Sequence, residues 1–587
     1  MELEHILEKR TADELRSLCK LFGKPKDPLT TKAHAMDFLC SLIRTSPRDF
    51  INNLDPSERL LLAEIAHIKE LPAEAAFIAK YGVPYPKPST RFDNRSKTSL
   101  LACLIHFDFR NDFTFLWDGI EVFRPLTAAP PAPTVRSLAE PPAQAEGSPV
   151  HHFEGEANVL LELGRVLRLV QTGRIKVSDK ASRPTDASVR SISEVLVQPD
   201  FDLSPASASR NGWNYSDDCG PVRAHAWGVL IQQCGWTKSK KGQLCLTTAG
   251  TQILSTPTPE AFKVGVEGFI HDVRFDELHR INHIRGQTGK AKRWISDPGE
   301  RRESISFAME HLPAGEWIAF DEAFRFFLAS DGVVEVESTN GYLYIGDAQY
   351  GHIYNSVSLS KQFTRAVIME SFATLGLVDI AYTSPHGIWP EFEDSYGRDE
   401  HEFLGRYDGL TAMRITALGA YCLGSSEIYS TPISSESPAL HVLPNYEITA
   451  LATPSPGTLS TLKLLAVKVS DAVWKLDPET IIRSVESGTS WVSLRTMLGG
   501  ASRHEIPKNV ETWFADMEAR AGKCLRTSEA VLLEWEDEAI AVTLANSSGI
   551  ASLCYHAGGK RLVVPRKNLA AFTREARKRG HLLPLAK

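Results

Sequence analysis

The side chains best placed for chemistry in this chain are cations in flexible, glycine-bearing stretches. Arg285-Gly-Gln-Thr-Gly-Lys-Ala-Lys-Arg-Trp294 gathers Arg285, Lys290, Lys292 and Arg293 beside a large ring, and Arg301-Arg302 follow closely. Lysine and arginine on an adaptable loop suit a phosphate backbone, and an indole can stack on a base or anchor the loop. These residues are candidate DNA contacts, with a solvated inter-domain loop as the equal alternative. A second cluster, Thr237-Lys-Ser-Lys-Lys-Gly-Gln243, sets Lys238, Lys240 and Lys241 at a turn. A third, Arg574 with Arg577-Lys-Arg579, lies near an expected helix C-terminus, where the helix dipole favours cations without any ligand.

Enzyme chemistry finds weaker footing. A nucleotide-driven motor needs GxxxxGK[ST], whose backbone cradles phosphates while its Lys and hydroxyl residue bind phosphate and magnesium. Gly286-Gln-Thr-Gly-Lys290 has its first glycine too close to the lysine, and Ala291 stands where the hydroxyl belongs. Glu391, Glu393, Asp394, Asp399, Glu400, His401 and Glu402 crowd a polar stretch, but their spacing matches no metal loop and reads as a solvated insertion. Pro199-Asp200 opens like a magnesium-dependent nuclease motif, yet no Glu-x-Lys follows at a suitable distance. His151-His152 borders a proline-rich stretch and is expected to be unstructured. With no nucleophile elbow, zinc-ligand spacing or dinucleotide fingerprint, no catalytic residue, metal or cofactor is expected.

The formal net charge of -7 excludes a basic nucleic-acid binder overall, so any such contact must be local. Apolar residues make up 43% and charged ones 23%, enough for packed cores, and 587 residues predict several domains. Nine scattered cysteines without CxxC spacing fit buried thiols in a reducing compartment. No signal-peptide pattern or long apolar run is present, so a cytoplasmic location without a membrane partner is expected.

Positioning elements follow from periodicity and breaks. Pro125–Pro149 and Ser425–Pro438 read as linkers rich in small residues and proline. They leave a helical domain at 1–124, a middle region split at 150–265 and 266–424, and a C-terminal domain at 439–587. Thr11 caps a helix with Glu14 three positions on, and a second helix runs from Thr31 to about Ile43; this hairpin resembles a SAP module, a small DNA-binding unit. The middle region contains an echo. Ala224–Cys234 is an apolar helix followed by Gly235, a basic turn and Leu246-Thr-Thr-Ala-Gly250. Arg365–Leu375 is an apolar helix followed by Gly376, the strand Val378–Tyr382 and Ile415-Thr-Ala-Leu-Gly419. A helix leading into a two-stranded wing is the back half of a winged helix, so tandem winged-helix units are expected. Phe153–Gly173 and Glu303–Val336 are candidates for a third and a fourth unit. Arg406-Tyr-Asp-Gly-Leu410 reads as a buried knot in which Arg406 and Asp408 pair.

The last quarter carries a further pattern. Leu440-His-Val-Leu-Pro-Asn-Tyr-Glu-Ile-Thr449 reads as strand, Leu-Pro and strand, and Val473–Ile482 as a strand entering a capped helix. Ser487–Leu498 continues as turn and helix, Glu505-Ile-Pro-Lys-Asn-Val510 opens another, Gly522–Arg526 starts a strand, and Arg561-Leu-Val-Val-Pro565 precedes a closing helix. Residues 439–587 thereby resemble the non-motor N-terminal domain of XPB-type DNA helicases and their bacterial relatives. Glu194–Phe201 repeats the strand pattern earlier, so that element alone is not diagnostic. The resemblance implies an α/β accessory domain that helps a helicase engage DNA or partners, while the motor itself is missing here. The chain is therefore expected to be an α+β multi-domain, non-catalytic DNA-associated factor. Its expected partners are DNA and a separate helicase or multi-subunit complex, in repair or defence against foreign DNA. A protein-assembly scaffold and a metal-dependent nuclease are the alternatives.

Overall fold

The computed structural model describes residues 2–22, 31–86, 99–108, 113–145, 148–178, 181–204, 219–288, 294–330, 334–337, 342–347, 349–387, 401–429, 440–451, 454, 456–486, 489–521 and 529–583. It is mixed α and β, with small antiparallel sheets among many helices. Contacts divide it into two units: Met1–Ser437 with Glu486–Thr489, and Pro438–Val485 with Ser490–Lys587.

The first unit begins with helices α1 (Leu3–Glu8), α2 (Ala12–Leu21), α3 (Lys32–Thr45), α4 (Pro47–Asn52), α5 (Pro56–Ile68) and α6 (Glu74–Tyr81). The expected capping box is present: Thr11 Oγ1 accepts from Glu14 N at 3.2 Å, and Thr11 N donates to Glu14 Oε2 at 2.6 Å. These helices and the hairpin β1 (Ile105–Asp108) and β2 (Phe113–Leu116) surround a core of their own, from Leu3 to Phe123.

Pro125–Pro149, expected to be a linker, is instead docked. Leu138 N donates to Trp317 O at 2.6 Å, Arg136 N to Glu322 Oε1 at 2.9 Å, and Thr134 O accepts from Arg325 Nη2 at 2.5 Å. An extended proline-rich chain needs no core of its own when its backbone groups find partners on a neighbouring surface. Near its end β3 (Gln144–Ala145) pairs with β4 (Ser148–Pro149). His151-His152, expected to be unstructured, lies in β5 (His151–Phe153) and pairs with Tyr382 and Ala381.

The sequence echo is two copies of one backbone plan. In the first copy α7 (Val159–Gln171) precedes a short strand segment at Ile175–Val177, then α8 (Asp186–Ser193), α9 (Arg223–Gln233) and the hairpin β6 (Thr237–Lys240) and β7 (Gln243–Leu246). Lys176 bridges Gln243, which makes Ile175–Val177 the third strand. Helices α10 (Thr248–Ser255) and α11 (Pro259–Ile270) and the strand β8 (Ile284–Arg285) lead into the second copy. There α12 (Pro298–Glu310) precedes β9 (Trp317–Ala319), α13 (Phe320–Ala329), β10 (Tyr344–Ile345), α14 (Ser356–Ala366) with a π-helical continuation Val367–Phe372, the hairpin β11 (Val378–Tyr382) and β12 (Leu410–Ile415), and α15 (Ala417–Leu423). Its sheet order is β5-β11-β12-β9. Phe153–Gly173, a candidate start of a third unit, holds the end of β5 and α7, and Glu303–Val336, a candidate fourth, holds most of α12 with β9 and α13 among its described residues.

The echo has an atomic cause. In each copy a helix ends at a left-handed glycine, Gly235 at φ 73° and Gly376 at φ 68°. A threonine after the hairpin then binds back to that turn: Thr247 Oγ1 donates to Gly235 O at 2.8 Å, and Thr416 Oγ1 to Gly376 O at 2.7 Å. Each hydroxyl also caps the next helix, accepting from Gly250 N at 3.0 Å and Gly419 N at 2.9 Å. A Cβ on Gly250 would sit 1.9 Å from Trp236 O, and one on Gly419 1.9 Å from Leu377 O. Only glycine lets helix and strand approach so closely.

One continuous core, formed by residues from Phe153 to Cys422 together with Ala79 of α6, serves both copies, so residues 150–265 and 266–424 are not packed separately. Helix α9 packs directly on the Val367–Phe372 turn. Glu194–Phe201, expected as a strand, is irregular, because Val197 N and Gln198 N donate to the buried Glu162 carboxylate and not to a ladder. Asp200 of the nuclease-like Pro-Asp pair caps α9, accepting from Arg223 N at 2.9 Å and Ala224 N at 3.1 Å.

The second unit holds the sheet β13-β14-β16-β15, built from β13 (Leu440–Val442), β14 (Glu447–Ala450), β15 (Ala466–Ser470) and β16 (Val473–Leu476). Helices α16 (Pro456–Leu465), α17 (Pro478–Glu486), α18 (Trp491–Ala501) and α19 (Lys508–Ala521) accompany it. A second sheet, β17 (Ala530–Glu534), β19 (Arg561–Pro565) and β18 (Tyr555–His556), carries α20 (Glu538–Asn546) and α21 (Leu569–Lys578) around a core at Ala541, Leu544 and Phe572. Gly522–Arg526 lies outside the described residues, and the strand there begins at Ala530.

Candidate nucleic-acid interface

The first copy's hairpin turns on two left-handed residues, Lys241 at φ 53° and Gly242 at φ 73°, the conformation of a type I′ turn. Cross-strand pairs Lys240↔Gln243 and Lys238↔Cys245, with the bridge Lys176↔Gln243, put Lys176, Lys238 and Lys240 on one face of a three-stranded ribbon. The other face buries Ile175, Val177, Thr237 and Leu244. Alternation in a half-buried strand sends the lysines outward, and all four, with Lys241 at the tip, are exposed. No carboxylate among the described residues pairs with them. Arg183, also exposed, stands near Lys238 on the rim of a cleft of about 1040 Å³.

That cleft runs between α9, the Asp276–Arg280 stretch, the start of α12 and Glu370. Its floor is a buried ionic cluster. Glu370 accepts from Arg280 Nε at 3.0 Å on both oxygens and from the Tyr407 hydroxyl, with His225 Nδ1 at 3.5 Å. Burial alone would raise the Glu370 pKa, but Arg280, His225 and Tyr407 outweigh it and hold the carboxyl down to about 2. The same burial lowers His225 against the pull of Glu370, and pushes Tyr407 well up.

The other cationic candidates divide. Arg285 is exposed at the edge of β8, its Nη1 donating to Asn282 O at 2.9 Å. Lys290, Lys292 and Arg293 lie outside the described residues, as do the acidic positions 391–400. Arg301 and Arg302, expected from the sequence to be DNA contacts, are 2% and 0% exposed and are corrected to core residues. Arg301 pairs with Asp276 at 2.7 Å, and Arg302 with Glu277 at 2.9 Å while also donating to Phe269 O, Asp272 O and Phe275 O. Packing of α12 against α11 and α15 turns that face inward, and a buried guanidinium must find a carboxylate. The signal for this in the sequence is the acidic pair Asp276-Glu277, which lies too far along the chain to be matched by spacing. Arg406 also differs: it donates to Asn282 Oδ1 at 3.1 Å, while Asp408 Oδ2 accepts from Leu404 N and Gly405 N.

Among the described residues, no group of three His, Cys, Asp or Glu is arranged to hold a metal, and no helix is long and apolar enough to cross a membrane. Set beside known proteins, the chain matches no family model and no curated protein.

Proposed function

We propose that this chain is a non-catalytic, DNA-associated accessory factor. In this reading its two copies are tandem winged-helix units and its second unit is an XPB N-terminal-like domain. The chain would hold DNA and recruit a separately encoded helicase in repair or in defence against foreign DNA. The observation that carries the reading is the lysine face of the β6–β7 ribbon, where Lys176, Lys238, Lys240 and Lys241 stand exposed without carboxylate partners among the described residues. A winged helix most often reads bases with its third helix, but α9 and α14 are largely buried. The contact proposed is therefore with the phosphate backbone, through the wing, and independent of sequence.

The test is fluorescence anisotropy of the full chain with labelled duplex and forked DNA over a salt series. The triple variant K238E/K240E/K241E is expected to weaken duplex binding and to flatten the log–log salt slope by about 0.9 for each phosphate no longer neutralised. A wild-type chain that binds neither DNA at low salt, and captures no helicase, overturns the reading. Burial of both third helices favours a second reading, a protein-assembly scaffold, under which the triple variant leaves function intact.

A further inference from the structure

A second surface of the first unit carries rings where the wing carries lysines. Strand β10 pairs with β8 through Tyr344↔Arg285 and Ile345↔Ile284, and on its other side Tyr344 bridges His352. Ile345 N donates to Gly351 O, and Ile353 N to Leu343 O, both at 2.9 Å, which closes a small three-stranded meander. Ile284, Leu343, Ile345 and Ile353 point into the core. By the two-residue alternation of strands, Arg285, Tyr342, Tyr344, His352 and Tyr354 occupy the outer face. Tyr342 is 36% exposed and Tyr354 70%, and Trp294, 43% exposed, stacks on Tyr342 with centroids 5.7 Å apart and planes 7° from parallel. Tyr344 and His352 follow with planes 74° apart, and His352 and Tyr354 with planes 58° apart, each pair 6.2 Å between centroids.

The ribbon is built to hold this face still. Gly286 and Gly351 bring backbones so close that a Cβ would lie 2.4 Å from Tyr342 O and 1.8 Å from Ile345 O. The buried Glu337 accepts from Tyr342 N at 3.1 Å and Leu343 N at 2.7 Å. Exposed rings cost solubility unless something stacks on them, and a rigid outer row of them is an arrangement suited to planar ligands.

We infer that this face binds single-stranded nucleic acid by stacking unpaired bases on its rings, with Arg285 taking the backbone. Spacing selects the unpaired form: alternate residues on a strand stand about 7 Å apart, twice the roughly 3.4 Å rise per nucleotide of a duplex strand. Bases seated on successive rings must therefore be pulled out of a stack. Arg285 is the cation within the row, paired across the strands with Tyr344. The inference extends the proposed DNA association to a different surface and a different ligand form.

The experiment measures anisotropy of labelled oligo-dT and of a labelled hairpin duplex with the full chain. The Tyr342→Ala, Tyr344→Ala and Tyr354→Ala triple variant is expected to lose oligo-dT affinity by about fivefold or more per ring and to keep duplex affinity. The corresponding Tyr→Phe triple variant should restore oligo-dT binding, because stacking needs the ring and not the hydroxyl. Where the alanine triple variant fails to fold, Tyr354→Ala alone carries the test at its exposed position. Unchanged oligo-dT affinity in the alanine variants, or no oligo-dT binding by the wild type, overturns the inference. Duplex binding that still responds to K238E/K240E/K241E would leave the wing reading standing in that event. Ring-dependent oligo-dT binding without duplex binding would sink the wing reading alone.

Discussion

In the first copy the hairpin ends in a two-residue turn and keeps Lys238, Ser239 and Lys240 in solvent, whereas in the second every residue of β11 is buried. Both hairpins leave a left-handed glycine and return to a threonine-capped helix. What differs is the company. β5 adds to one side of β11, β9 continues the sheet beyond β12, and Leu138 of the docked Pro125–Pro149 segment bridges Trp317 of β9. Nothing in the described residues covers β6 in that way. One backbone plan thus serves as a solvent-facing ribbon in one copy and as sheet core in the other. The landmark residues specify the turn and the cap, and the flanking chain decides exposure.

The strongest way to break the comparison is to uncouple the copies at their shared ionic floor. Glu370 lies in the second copy's third helix and meets His225 of the first copy's α9. Glu370→Ala leaves Arg280 buried without its carboxylate, and is expected to cost about 3–5 kcal/mol of unfolding free energy. Urea denaturation checks this, with Lys240→Ala as a control that should change little. The pH dependence has a definite sign. Glu370 is depressed to about 2, so its contribution is present above its ordinary value of 4.5 and is lost as pH falls from there. His225 is held neutral by burial, so protonation of the unfolded chain removes stability as pH falls below 6.5. Between pH 4.5 and 2 the urea midpoint should decline in the wild type and decline less in Glu370→Ala. Between pH 6.5 and 4.5 the variant, whose His225 has lost the carboxylate that raises its pKa, should decline at least as steeply as the wild type. An equal slope in both below pH 4.5 would show that this cluster does not join the copies.

The legible parts of the fold were those written in local chemistry. Thr11 with Glu14, and the Leu/Ile-Thr-x-x-Gly landmarks, are short-range hydrogen-bonding patterns, and they mark real caps. Missed features all depend on distant partners. Arg301 and Arg302 look like surface cations until Asp276 and Glu277 are placed beside them. The Pro-rich segment looks free until α13 offers Glu322 and Arg325 to its backbone. His151-His152 look loose until β11 supplies a ladder. The tyrosine face is not legible in the sequence because its alternation is divided between two short strand segments. Of the candidate site, Lys238, Lys240, Lys241 and Arg285 are exposed as the sequence suggested, because a glycine-bearing turn between alternating residues is itself a local signal.

A finer probe compares the paired glycines. Gly250→Ala and Gly419→Ala each force a Cβ against a carbonyl at 1.9 Å, and overpacking of this kind costs about 1–3 kcal/mol. The two should not cost the same. Trp236 leads into β6, an edge strand that can shift outward, while Leu377 leads into β11, held between β5 and β12. Gly419→Ala is expected to be the more damaging in chemical denaturation. Equal losses would mean that the edge strand is as fixed as the central one, and that exposure of the β6–β7 hairpin carries no freedom.

The smallest effect concerns the tip of the β6–β7 hairpin. Lys241 holds φ at 53°, a conformation that costs an L side chain about 1–2 kcal/mol, while asparagine tolerates it better and is favoured in type I′ turns. No residue of β11 or β12 carries such strain. Lys241→Asn should therefore stabilise the first copy by up to about 1 kcal/mol, seen as a small rise in the urea midpoint. It should also remove one cation from the ribbon face and lower the salt slope of duplex binding by about 0.9. A variant that gains stability and loses DNA affinity identifies a lysine kept at a strained position for contact with a ligand. Gained stability with unchanged duplex affinity and salt slope would instead make the strain incidental, and would leave the proposed DNA contact to Lys176, Lys238 and Lys240.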